Sequence, residues 1–285
     1  MKMHGSLYTD IATVVNAFRK DEKVPLSFDS GSYFCVHEEP RELSHDTYYE
    51  SDDGTEIERQ QSVLMMAFQE KVSMLLRAKS KSMGIPLPLP KGEYRVDITV
   101  TTQRQADDVP PLLVMKAVLD GINKEIIEND RQIYECNIRY HYKTRYANAS
   151  QYRPNESLKI ELFDLRSSGG PIIEVSGDLY IVPKQSPILR DGGDRLLSDD
   201  TDRHNYLARP LKRKMKIAPC KSYSIDMCFT GDTDDKDIDN MALIYYPILG
   251  HLGINEAQVH YLHLEKRKST TSPPSIETQI KCKTP

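Results

Sequence analysis

Residues 237–259 read Asp-Ile-Asp-Asn-Met-Ala-Leu-Ile-Tyr-Tyr-Pro-Ile-Leu-Gly-His-Leu-Gly-Ile-Asn-Glu-Ala-Gln-Val. Asp237 and Asp239 lie two apart, so in extended backbone their carboxylates point the same way. Asp239 is a suitable N-cap for a helix through Met241, Ile244, Ile248 and Leu252. Pro247 predicts a break in that helix, and Gly250 and Gly253 offer places to end it. If the chain then returns beside the helix start, Glu256 joins the pair. Three carboxylates in one place suit Mg²⁺, which takes hard oxygen ligands and keeps several waters. An ion held by Asp237, Asp239 and Glu256 would activate a water and neutralise charge at a phosphate ester.

The spacing Asp-x-Asp-Asn, helix, then acid-x-Gln-Val resembles the RusA family of Holliday-junction resolvases. The stretch keeps Asp237, Asp239, Asn240, Glu256, Gln258 and Val259. It departs at Leu243, where the family has a lysine, and at Asn255, where the first of two late acids lies. A second partial match lies upstream. Lys116, Asp120, Asp130, Gln132 and Ile133 fit the family's lysine, helix and late acid, but Leu112 and Leu113 stand where Asp and Asn belong. Asp107 and Asp108 lie about one turn too early. The resemblance implies Mg²⁺-dependent cleavage of branched DNA, with the metal held by Asp237, Asp239 and Glu256 in the second half. Lys116 and Asp130 are the catalytic candidates of the first half. Lys116 would serve the second-half site only if the two halves faced each other closely, which is not expected.

These motifs need elements to carry them, and the chain presents the elements in a repeated order. Residues 1–20 read as an amphipathic helix, a strand follows at about 32–37, and residues 38–61 are a polar loop. Met65, Phe68, Val72 and Leu76 recur at helical spacing over about 62–83, ended by Gly84. Strands are expected at 94–100, 134–143 and 158–165, with a helix at 110–126. Tyr180–Pro187 then echoes Tyr33–Pro40, and Tyr223–Phe229 echoes Tyr94–Val100. Residues 256–259 echo 130–133, and 276–283 alternates like 158–165, while a weaker helix is expected at 198–209. Four echoes in one order predict an α+β chain of two RusA-like domains, 21–167 and 171–285, after an N-terminal extension. Each is expected to be a small mixed sheet with two helices (β-α-β-α-β-β). RusA-like enzymes are homodimers, so the resemblance implies a pseudo-dimer within one chain.

Composition bounds the rest. At 285 residues the length suggests about two domains. A formal net charge of −4 gives no overall pull toward nucleic acid, so DNA contact must come from local patches. The candidates are Lys212, Arg213, Lys214 and Lys216, and Lys266, Arg267 and Lys268, all reading as phosphate contacts rather than base readers. The five cysteines are scattered without a CxxC pair, predicting reduced thiols in a cytoplasmic protein and neither a zinc site nor a disulfide framework. No apolar run is long enough to span a bilayer. The expected function is a Mg²⁺-dependent endonuclease resolving Holliday junctions in recombination or repair. The alternative is a catalytically weak or inactive RusA-like module that binds DNA or another protein.

Overall fold

Alternation of apolar and polar residues builds the centre of the molecule. In strands β5 (Tyr94–Thr102) and β9 (Tyr223–Gly231) every second residue is buried. That period of two gives each strand one covered face and one open face. The structure, a computed structural model, describes residues 26–29, 32–42, 48–50, 56–58, 63–102, 110–142, 156–178 and 207–282. The other strands are β1 (Leu26–Asp29), β2 (Tyr33–Val36), β6 (Ile133–Tyr142), β7 (Ser157–Asp164), β8 (Ile173–Asp178), β10 (Val259–Lys268) and β11 (Ser275–Cys282), with a separate hairpin of β3 (Tyr48–Glu50) and β4 (Glu56–Glu58). The helices are α1 (Val63–Met83), α2 (Pro111–Ile122), α3 (207–214), α4 (Ile238–Tyr245) and the single turn α5 (Ile248–His251). The chain is a mixed α+β structure around one sheet.

That sheet has nine strands in the order β1-β2-β11-β9-β10-β6-β5-β7-β8. The expected two small sheets are therefore one. β5 runs parallel to β6 and antiparallel to β7, and β7 pairs antiparallel with β8. On the other side β9 runs parallel to β10 and antiparallel to β11, and β11 pairs antiparallel with β2. The two sets meet where β6 and β10 pair antiparallel, Asn137 opposite His263, with Ile138 opposite Leu262 and Cys136 opposite Leu264. β2, expected in the first domain, joins the second set, and β8, expected in the second, joins the first. Backbone hydrogen bonds thus cross the expected boundary three times, and the buried side chains form one core.

α2 packs against α1, β6, β10 and α4, and α4 packs against the same two strands, so α2 and α4 lie side by side over the β6–β10 seam. The sequence of α2 explains its depth. Ten of its residues are buried, among them Leu112, Leu113, Val114 and Met115. Pro111 sits at its first position, where a missing N–H costs nothing.

Several expectations need correction. The N-cap of α4 is Asp237, and Asp239 lies within the first turn. Pro247 separates α4 from α5 as expected, and Gly253, at φ 89°, takes the left-handed position after the last turn. The second-half helix is α3, and its described part runs through Pro210 to residue 214. The first nine residues of the expected 198–209 helix lie outside the described residues, as do the helix at 1–20, the strand at 180–187 and Asp107 and Asp108. Cys220 and Cys282 form a disulfide with Cα atoms 5.8 Å apart, contrary to the expectation of reduced thiols. Antiparallel pairing of β9 and β11 sets Tyr223 opposite Cys282, which brings Cys220 alongside. Among the described residues no helix is long and apolar enough to cross a membrane.

Candidate functional site

Lys116 is the hub of the site. It projects from the middle of α2, and its Nζ donates to Asp239 Oδ2 at 2.9 Å, Asn240 Oδ1 at 3.2 Å and Asp120 Oδ1 at 3.3 Å. Asp120 is one turn further along α2, an i,i+4 arrangement that puts both on one helix face. Gln69 of α1 donates to the other oxygen of Asp120 at 2.8 Å. Asn240 in turn donates to Asp237 Oδ2 at 3.1 Å. The lysine of one half thus binds Asp239 and Asn240 of the other, contrary to the expectation that it would stay apart.

Asp130 completes the cluster. It opens the 3₁₀ turn Asp130–Gln132 that leads into β6, and the Asn129 side chain caps that turn by accepting from the Arg131 amide at 2.9 Å. β6 and β10 run antiparallel, so the start of β6 lies at the end of β10, where the loop after β9 delivers Asp237. The Asp130 carboxyl lies close enough to Asp237 and Asp239 to feel both charges. The Arg131 guanidinium stands 3.6 Å from Asp237, and Glu42 accepts from the Asp237 amide at 2.8 Å.

The same topology carries Glu256 away. It opens the 3₁₀ turn Glu256–Gln258 before β10, capped by Asn255. Lys266, near the other end of β10, donates to the carbonyl of Lys236 at 2.8 Å, next to Asp237. Val259 and Lys266 are seven strand residues apart, so Glu256 lies roughly 20 Å or more from the acidic pair at about 3.3 Å per residue. Glu256 therefore stands apart from the expected set, and the carboxylate beside Asp237 and Asp239 is Asp130.

Burial sets the electrostatics. Asp239 is 1% exposed, Asp237 3% and Asp130 7%. Burial, then the charges of Asp237 and Asp239, push the Asp130 carboxyl up to about 8. Burial works against the Lys116 charge, but Asp239 and Asp120 outweigh it and raise its pKa. Asp239 Oδ1 is buried without a hydrogen-bond partner, while its Oδ2 accepts from Lys116. Among the described residues no three His, Cys, Asp or Glu side chains form a ready-made metal cage. The Lys116 ammonium sits among the carboxylates instead.

The basic candidates divide. Lys212, Arg213 and Lys214 on α3, and Lys216 just after it, are exposed. Lys266 is not a surface contact. It is 2% exposed, donates to the carbonyls of Arg131 and Lys236, and lies 4.5 Å from the Tyr134 ring centre. Burial lowers its pKa to about 8, against the opposing pull of Asp237 and other acids. It shares one face of β10 with Leu262 and Leu264, a period-two signal visible in the sequence. Arg267 is bound to Glu265, and Lys268 to Asp234. Arg131 and Glu42 were missed; Glu42 lies in a polar stretch without periodicity. A scan of the chain against protein-family models finds no match, and neither does a search of curated proteins.

Proposed function

We propose that the chain is a RusA-like, Mg²⁺-dependent endonuclease acting on branched DNA such as Holliday junctions, in recombination or repair. One observation carries the reading. Two fragments of one motif, each incomplete in its own half, are joined through Lys116 to Asp239 at 2.9 Å. The first half keeps the lysine and the late acid, Asp130. The second keeps Asp237, Asp239 and Asn240. Together they make up the family's set of residue types.

We read the two halves as copies of one unit, 21–167 and 171–285, that exchange an edge strand and form a pseudo-dimer. In support, Asn137 and His263 hold equivalent places in β6 and β10, because Tyr94 pairs with Ile133 as Tyr223 pairs with Val259. A two-fold axis then passes between them.

By residue type, three aspartates are donors that suit a hard divalent cation. Asp130, Asp237 and Asp239 supply oxygens only, Asp239 Oδ1 lacks a partner, and Asp130, raised first by burial, is raised further by the charges of Asp237 and Asp239. Asp237, Asp239 and Asp130 would hold the ion. When bound, it would lower the pKa of a water and offset charge on the phosphate. In hydrolysis the water oxygen bonds to phosphorus, the bond from phosphorus to one sugar oxygen breaks, and the water's proton ends on that oxygen. Lys116 orients Asp239 and Asn240 and offers positive charge beside the developing phosphorane. Lys212, Arg213, Lys214 and Lys216 are the surface cations available for phosphates.

The test is cleavage of an end-labelled four-way junction in Mg²⁺. Wild type should cut, and Asp239→Asn and Asp130→Asn should each abolish cutting, because both serve the same centre. Lys116→Met should lower the rate by on the order of 10²–10³. Tight, salt-sensitive junction binding without cutting would instead support an inactive RusA-like DNA-binding or protein-interaction module.

A further inference from the structure

We infer that the chain carries one reaction centre and not two, so that it nicks branched DNA, cutting one strand per encounter. The inference rests on the nuclease reading and adds its stoichiometry. If the β6–β10 seam is a two-fold axis, every residue of the Lys116 centre has a counterpart across it. The counterparts follow from the elements. Asp237 and Pro110 are the N-caps of α4 and α2. Two residues on, Asp239 corresponds to Leu112. Six residues on, Leu243 corresponds to Lys116. Asp130 and Glu256 each open the Asn-capped turn before the seam strand.

The second centre would therefore need to be built from Pro110, Leu112, Leu243 and Glu256. Pro110 has no polar side chain. Leu112 is 0% exposed and Leu243 4%, both in the continuous apolar core. Among the described residues at these positions, Glu256 alone remains as a hard oxygen donor. A divalent ion there would have to leave several of its waters against leucine side chains, which offer them no hydrogen bonds. The symmetric resolution of a four-way junction needs one cut on each of two strands. One chain supplies one of them, and the other needs a second chain.

Two measurements test this. A negatively supercoiled plasmid with an extruded inverted repeat is incubated with Mg²⁺ and wild-type chain held at a concentration where it is monomeric. One cut relaxes the circle and the branch is reabsorbed, so nicked circle is expected to accumulate without linear product. Linear product formed directly from supercoiled substrate would overturn the inference. Calorimetric titration with Mn²⁺ reads the centres without cleavage. Loss of all specific Mn²⁺ binding in both Asp239→Asn and Asp130→Asn, each verified as folded by circular dichroism, supports a single centre. Specific binding that survives either substitution overturns it. Should wild type bind Mn²⁺ in this pattern yet cut no branched DNA, the nuclease reading fails while the single centre stands. Should wild type neither bind nor cut, both fall.

Discussion

Asp130→Asn is expected to stabilise the metal-free chain progressively as pH rises. Asp130 is 7% exposed, and its burial, with Asp237 and Asp239 adding to it, holds the carboxyl at about 8. In the unfolded chain an aspartate titrates at ~3.9. Between these values the folded state keeps a proton that the unfolded state releases. The raised folded pKa therefore contributes stability that is present at low pH and lost as pH rises toward 8. A full proton difference is worth about 1.4 kcal/mol per pH unit, so wild type should lose on the order of 2 kcal/mol against the Asn variant between pH 5 and pH 7. The assay is equilibrium urea unfolding in EDTA at several pH values, with both proteins measured together. Slopes from histidines are common to both and cancel in the difference. With Mg²⁺ added, the ion competes with the proton, so wild type should gain stability, increasingly as pH rises, and the variant should gain less. A difference between the two proteins that stays flat from pH 5 to pH 7.5 in EDTA would refute the picture of a buried, proton-holding carboxyl beside two charged neighbours.

Lys116→Met removes the cation bound to Asp239 and leaves a carboxylate that is 1% exposed without it, a loss of about 3 kcal/mol in urea unfolding at pH 7; unchanged stability would show the pair is not formed. Lys266→Met tests the buried ammonium. Its folded pKa of about 8 lies below the ~10.4 of an unfolded lysine, so the unfolded chain holds more protons in that window and wild type should gain stability against the variant from pH 8 to pH 10. The reverse trend would place Lys266 in solvent. Cys282→Ser opens a cross-link of sequence separation 62, for which loop-closure entropy gives about 4 kcal/mol. Mass mapping of the unreduced protein should find Cys220 joined to Cys282, and two free thiols there would contradict the pairing.

Much of the fold was legible because it rests on local periodicity. The spacing of Met65, Phe68, Val72 and Leu76 located α1, alternation located β7 and β11, and the likeness of 223–229 to the strand 94–100 pointed to β9. Both fragments of the site were legible too, as spacings within 107–133 and 237–259. Their union was not, because a motif read along the chain assumes that its parts serve the same copy. The antiparallel meeting of β6 and β10 breaks that assumption. It carries each late acid to the far end of its neighbour's strand, so Asp130 meets Asp237 and Asp239 while Glu256 is turned away. The pairing of β2 with β11 and of β8 with β7, across the expected boundary, was hidden for the same reason, since strand strings do not name their partners. The Cys220–Cys282 pair likewise follows only from the register of β9 against β11. On the proposed reading, the two partial motifs acquire a physical logic once they share a centre. With Lys116 and Asp130 supplied by the first half, the second half would not need a lysine at Leu243. With the acidic pair supplied by the second half, the first half would be free to fill its helix start with Leu112 and Leu113. Leu112 at 0% exposure and Leu243 at 4% pack in the apolar core instead, which is what the proposal of one shared, asymmetric centre requires of these positions.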